Sequence, residues 1–192
     1  MRTLHSRDEL PNLLIDCGLT GVGVEVGTYR GDYAAHLLAY WPGTLHCVDP
    51  WRSQPDWVDL LSTNQSQQDA NYDATRECLA PYGDRAVIHR ATSDDAVHVL
   101  APLAPFDFVY IDARHDAPHP LDDITRWAPL IRPGGLLCGH DYLPDGTYAT
   151  GVYAVKGAVD GWMASNGYPK HALHVTTGDP YPSWMLKLAY PV

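Results

Sequence analysis

The chain has 192 residues, enough for one domain with a real core and too few for two of ordinary size, so a single domain over 1–192 is expected. Apolar residues make up 45% and charged residues 19%, the balance of a compact globular protein and not of a disordered one. The net charge of −10 comes from 13 Lys and Arg against 23 Asp and Glu, with no basic stripe; this argues against nucleic acid as a partner and for a small molecule.

No apolar run approaches the roughly 20 residues that span a bilayer. The opening MRTLHSRDELPNLL lacks the continuous apolar stretch of a signal peptide. A cytoplasmic location with no membrane contact is the expectation. Cys17, Cys47, Cys78 and Cys138 show no CxxC spacing and read as reduced, small hydrophobes.

Ser6 and Glu9 have the spacing of a capping box that opens a helix through about Cys17. Residues 22–26 read as a buried strand, followed by Gly27-Thr28-Tyr29-Arg30-Gly31 and a helix over 32–40. A second strand over 44–48 ends on Asp49, and a polar stretch over 50–68 precedes a helix over 69–79. A third strand is expected over 86–89 and a helix over 94–100. The run FDFVYI (106–111) is a strong buried strand ending on Asp112. A helix over 121–130 stops before Arg-Pro-Gly-Gly (132–135), which reads as a turn ahead of a fifth strand over 136–139. That strand ends on His140-Asp141. A Tyr- and Gly-rich segment, a helix over 155–166 and strands near 172–176 and 184–188 complete the chain.

Strands alternating with helices predict an α/β, doubly wound, mostly parallel seven-stranded sheet with helices on both faces. Ligands of such sheets bind beyond the carboxyl ends of the strands. Glu25, Asp49, Asp112 and His140-Asp141 all collect there.

Gly27 and Gly31 permit a tight turn and a close backbone approach to a ligand, although such turns are often only structural. The turn matches neither GxGxxG nor GxxxxGK[ST]. Glu25 would repel a pyrophosphate and attract a ligand carrying an ammonium and a sulfonium. Asp49 stands where an acidic residue takes ribose hydroxyls; the alternative is a turn aspartate before Pro50. In Arg90-Ala91-Thr92-Ser93-Asp94, small polar groups can meet an adenine edge or simply cap the next helix.

With VGVEVGTYRGDYA, LHCVDPW, FDFVYIDARH and LIRPGGLLCGHDY in this order, the chain resembles the class I S-adenosylmethionine-dependent methyltransferases. Within them it looks like methyltransferase family 24, and it is similar to metal-dependent O-methyltransferases acting on sugars, polyketides and catechols. The resemblance implies that Glu25 and the turn of Gly27, Thr28 and Tyr29 hold the methionine portion of S-adenosylmethionine. By the same resemblance Asp49 holds the ribose, Ala91, Thr92 and Ser93 lie at the adenine, and Asp112 lies beside the sulfonium. It further implies a divalent metal, Mg or Mn, on Asp112, His140 and Asp141. The family pattern has Asp-Asn or Asp-Asp at the last pair, and imidazole suits Mn, Fe, Co or Zn better than Mg. His115 stands at the offset of a general-base lysine, and an imidazole can take a proton near neutral pH.

His119 reads as an ordinary loop residue, since Pro118 and Pro120 exclude a helical pairing with His115. The stretches 51–68 and 142–153 carry Trp51, Trp57, Tyr142, Tyr148 and Tyr153, and read as lids and acceptor walls or as a homodimer contact. The leading expectation is an O-methyltransferase for a small hydroxylated acceptor. A metal-dependent hydrolase would not need Glu25, Gly27 and Asp49 in register. A non-catalytic adenosylmethionine-binding protein would not need Asp112, His115 and Asp141.

Overall fold

The computed structural model describes residues 2–57 and 64–189. Its centre is a seven-stranded sheet in the order β3-β2-β1-β4-β5-β9-β8. The strands are β1 (Val22–Val26), β2 (Thr44–Asp49), β3 (Ala86–Arg90), β4 (Phe106–Ile111), β5 (Ile131–Gly139), β8 (Leu173–Val175) and β9 (Trp184–Lys187). β1 to β5 pair in parallel, whereas β9 runs antiparallel to both β5 and β8. This is the expected doubly wound α/β architecture.

Helices cover both faces because the strands present apolar side chains to both. All six residues of β4 are buried, the pattern of a central parallel strand. Phe108 and Tyr110 face α1 (Leu10–Asp16), α2 (Asp32–Tyr40) and α3 (Gln65–Leu79), packing with Leu14, Leu37 and Leu79. Val109 and Ile111 face α4 (Ser93–Leu100), α5 (His119–Trp127) and α6 (Val155–Ser165), packing with Leu100, Trp127 and Val159.

The capping box of Ser6 and Glu9 forms as expected, closing a 3-10 turn (Arg7–Glu9) that leads into α1. Several details differ from the sequence reading, and α5 also ends at Trp127, where a 3-10 turn over Ala128–Leu130 takes over. α3 starts at Gln65 because the Asn64 side chain accepts from the Gln67 N–H and caps it there. α5 starts at His119, so that histidine opens a helix; its ring lies 3.1 Å from the Asp116 carbonyl.

Arg-Pro-Gly-Gly is an irregularity inside β5 and not a turn before it. Ile131 pairs with Phe106 and Leu136 with Phe108, so the four residues between them bulge out opposite Asp107. Arg132 reaches the Asp107 carboxylate at 2.6 Å, and Gly134 takes a φ of 82°. Finally, the Tyr- and Gly-rich segment contains a short hairpin, β6 (Gly146–Thr147) with β7 (Val152–Tyr153). Residues 58–63, within the polar stretch after β2, lie outside the described residues.

Candidate active site

β1, β2, β4 and β5 end at one edge of the sheet. Gly27, at φ 97°, carries the chain from β1 over that edge, and its N–H donates to the Val48 carbonyl at 2.8 Å. A Cβ on Gly27 would collide with the Asp112 carbonyl. The close approach that requires glycine is therefore to the neighbouring strand's exit.

Asp49 ties two loops together. It accepts from the Tyr29 N–H at 2.9 Å and from the Trp51 N–H at 2.8 Å. Burial pushes its carboxyl up to about 6 despite these two bonds. Trp51, fully buried, donates Nε1 to the Tyr29 carbonyl at 2.6 Å. Tyr29, Trp51 and Asp141 have φ of 54°, 39° and 60°, and among the described residues no other non-glycine φ is positive. All three lie where the sheet opens, the usual location of such strain.

Glu25 is buried, and its Oε2 has no hydrogen-bond partner among the described residues. Burial pushes its carboxyl up to about 8.

Asp112, His140 and Asp141 come together, with one donor atom of each within 4.8 Å of the others. His140 Nδ1 lies 3.6 Å from Asp112 Oδ1 and 3.2 Å from Asp141 Oδ1. The outer oxygens are also taken: Arg7 Nη1 donates to Asp112 Oδ2 at 3.1 Å, and His115 Nδ1 is 3.3 Å from Asp141 Oδ2. Burial pushes Asp112 up against the pull of His140 and Arg7. At Asp141 burial acts the same way, but the hydrogen bonds from His115 and His140 outweigh it and hold the carboxyl below the usual range. His140 is raised because Asp112 and Asp141 outweigh the burial of its imidazolium.

The three donors fit a divalent ion. Adjacent ligand atoms of a small octahedral cation stand about 3 Å apart, close to the spacing of His140 Nδ1 from the two inner oxygens. Arg7 and His115 then hold the two outer oxygens, the orientation that a second layer of partners provides.

His115 is buried and not the surface residue that a loop position suggests. Its ring stacks on Tyr153 at 4.5 Å and 5°, with the Trp57 ring 5.3 Å away on an edge. These side chains, with Glu25, Asp112, His140 and Tyr181, line a cleft of about 370 Å³. A second hollow shares Gly27, Tyr29, Trp57 and Asp112 with it and adds Asp49 and Ser93, so the groove follows the sheet edge. Thr92 is the N-cap of α4, accepting from the Asp95 N–H at 3.2 Å. The Ser93 hydroxyl donates to Asp123 and accepts from Trp127 Nε1 at 2.9 Å.

A family model described as a methyltransferase domain matches residues 24–142, more than half of the chain. The chain belongs to methyltransferase family 24. No curated protein matches its sequence significantly. Among solved structures, an O-methyltransferase from Bacillus cereus in complex with S-adenosylhomocysteine is similar at TM-score 0.63 and 18% identity, over 93% of this chain and 78% of that one. The O-methyltransferase TomG from Streptomyces achromogenes, involved in tomaymycin synthesis and solved with S-adenosylmethionine, gives 0.62 and 18% over 95% and 79%. A precorrin-6y C5,15-methyltransferase from Geobacter metallireducens gives 0.58 and 13% over 96% and 89%. At these identities the likeness is one of fold, and the methyltransferase sheet does not by itself fix the target atom.

Within this methyltransferase, the aromatic residues of the two long loops divide. Trp57 and Tyr153 line the cleft, and Tyr148 supports Tyr153 edge-on at 5.3 Å. Trp51 is core, and the Tyr142 hydroxyl donates to Asp160 at 2.6 Å on the flank of α6. Arg7, Tyr181 and Arg114 were not singled out from the sequence. Arg114 pairs with Asp56 and Asp116, both at 2.8 Å, and lies 5.8 Å from the Trp57 ring, which holds that loop against the site. Their signal is weak because each depends on a partner distant in sequence or on loop geometry.

Proposed function

We propose that this methyltransferase uses S-adenosylmethionine to methylate a hydroxyl of a small acceptor, with His115 as the general base. The observation that carries this reading is His115 itself, buried in the cleft with Nδ1 on the Asp141 carboxylate. A carboxylate on Nδ1 favours the tautomer protonated there and leaves Nε2 as the proton acceptor. In the transfer, the acceptor oxygen forms its new bond to the methyl carbon as the carbon–sulfur bond breaks. The sulfonium becomes a neutral thioether, and the hydroxyl proton passes to His115.

The groove supports the placement of the cofactor. Asp49, beyond its two backbone bonds, retains acceptor capacity for the ribose hydroxyls, and Glu25 offers its unpartnered oxygen to the ammonium. Ser93 lines the hollow beyond Asp49, where the adenine would lie. Since the hydroxyls of Thr92 and Ser93 are engaged, backbone groups rather than these hydroxyls would meet the base. Asp112, His140 and Asp141 would hold Mg²⁺ or Mn²⁺, which when bound chelates acceptor oxygens and lowers a hydroxyl's pKa. Trp57, Tyr153 and Tyr181 wall the acceptor side and exclude water. A cleft of about 370 Å³ and a net charge of −10 suit a small molecule better than nucleic acid.

The test is methyl transfer from labelled S-adenosylmethionine to a panel of small phenols, sugars and hydroxy acids, with His115→Ala alongside. Transfer by the parent that falls about 10²–10⁴-fold in the variant supports the reading. An unchanged rate in the variant removes His115 as the base.

A further inference from the structure

The N-terminal segment brings an arginine to the cleft from far away in sequence. The Arg7 N–H donates to Asp179 at 2.9 Å, its carbonyl accepts from the Tyr33 hydroxyl at 3.0 Å, and Leu4 beside it is fully buried. The backbone at Arg7 is thus pinned on both sides. Its guanidinium lies over the Tyr33 ring, 4.4 Å from the centroid, with Nη1 on Asp112. The side chain is still 30% exposed, and it lines the same cleft as Glu25.

A guanidinium has five N–H donors in a fixed fork, and the contacts with Asp112 and with the Tyr110 hydroxyl leave the remaining donors for a ligand. A cation held rigidly, partly desolvated and in the same cleft as a buried carboxyl whose Oε2 has no hydrogen-bond partner is more than a salt bridge needs. It is half of a receptor for a zwitterion: Glu25 offers an acceptor for an ammonium, and Arg7 offers donors for a carboxylate. We propose that Arg7 binds the α-carboxylate of the cofactor's amino-acid end while Glu25 takes its ammonium. This rests on the cofactor reading above and adds to it the residue that separates an intact amino acid from a decarboxylated one. Arg30 is the other guanidinium at the cleft, but it is an exposed side chain.

Arg7 also ties this recognition to the chemistry. Its contact with Asp112 Oδ2 orients a carboxylate whose other oxygen faces His140. The carboxylate of the ligand would meet Arg7 from the open side of the cleft, with the guanidinium between two anions.

Calorimetry separates the outcomes. The ligands are S-adenosylhomocysteine and its decarboxylated analogue, which keeps the amine; the proteins are the parent, Arg7→Met, Arg7→Lys and Arg30→Met. The parent is expected to bind S-adenosylhomocysteine about 10–100-fold more tightly than the decarboxylated analogue, the size of a charge-assisted contact. Arg7→Met should lose that preference while binding the analogue as the parent does, and Arg30→Met should keep it. Arg7→Lys should retain part of it, and this variant decides the matter if Arg7→Met does not fold. Equal losses on both ligands would make Arg7 structural and overturn the proposal, as would a preference that disappears in Arg30→Met. Failure of the parent to bind either ligand would instead overturn the cofactor reading on which the proposal rests.

Discussion

His115 Nδ1 and Asp141 Oδ2 lie 3.3 Å apart, with both side chains only 8% exposed. Asp141 holds a left-handed φ of 60°, which an aspartate tolerates, and its carboxylate sits between His115 and His140. Asp141→Asn keeps the size of the side chain but can present an amide N–H where His115 needs an acceptor. Methyl transfer should fall about 10²–10⁴-fold, with binding of S-adenosylhomocysteine within a few-fold of the parent. In the parent the rate should fall on the acid side as the base is protonated, and that limb should be absent in His115→Ala. Rates measured across pH in both proteins check this; matching profiles would assign the proton to another group.

Glu25 makes stability depend on pH. Burial holds it at about 8 against an ordinary value of 4.5. Between those values the native protein keeps a proton that the unfolded chain has released, so stability is lost as pH rises, by up to about 1.4 kcal/mol per pH unit. Asp49, raised to about 6, adds a loss of the same sign at the lower end of the window. Glu25→Gln should flatten the fall in melting temperature between pH 6 and 8. It should also weaken S-adenosylhomocysteine binding at least about tenfold, because a neutral amide replaces the partner of the ammonium. Ligand-free melts of parent and variant over this range decide; parallel curves would mean that Glu25 is ionised in the free protein.

The frame of this site could be read from the chain because its signals are local. FDFVYI is a central strand by its own composition, and an acid directly after an apolar run must sit at the carboxyl edge of a parallel sheet. The positions of Asp49, Asp112 and Asp141 at that edge therefore follow from the chain without any tertiary contact. Thr92 shows the limit of the same method, since an N-cap and an adenine contact call for the same small polar residue. Arg7 was not legible at all: its partner Asp112 is 105 positions away, and only folding brings the N-terminal segment across the sheet edge. The bulge at 132–135 is not legible in the sequence because Pro-Gly-Gly suits a turn equally well, and the ion pair of Arg132 with Asp107 spans two strands.

Asp49 has a structural task as well as a proposed one, and two substitutions separate them. Asp49→Ala leaves the N–H groups of Tyr29 and Trp51 without their acceptor, at about 1–3 kcal/mol for each group that stays buried. Asp49→Asn keeps one carbonyl acceptor and should unfold closer to the parent. Both should weaken cofactor binding by roughly 1–3 kcal/mol if the carboxylate takes the ribose hydroxyls. Denaturant melts and calorimetry on the two variants measure the two effects separately. An Asp49→Asn variant that binds S-adenosylhomocysteine as the parent does would confine this residue to holding the loops.

The donor set of Asp112, His140 and Asp141 predicts that Mn²⁺ binds, and binding can be read without turnover from the paramagnetic signal of free Mn²⁺. The two carboxylates differ in what else they hold. Asp141 carries both histidines, so Asp141→Ala should lose the ion and methyl transfer together while keeping cofactor affinity within a few-fold. Asp112 carries Arg7 as well as facing His140, so Asp112→Asn should lose the ion and also alter cofactor binding. His140→Ala leaves both carboxylates, and for an oxygen-preferring ion it should weaken binding less than either acidic substitution. Chelation by EDTA followed by dialysis should abolish transfer with the fold intact, and added Mg²⁺ or Mn²⁺ should restore it. Full activity after that treatment would assign His140 to hydrogen bonding between the two carboxylates. Transfer would then rest on His115, Asp141 and the positioning of donor and acceptor.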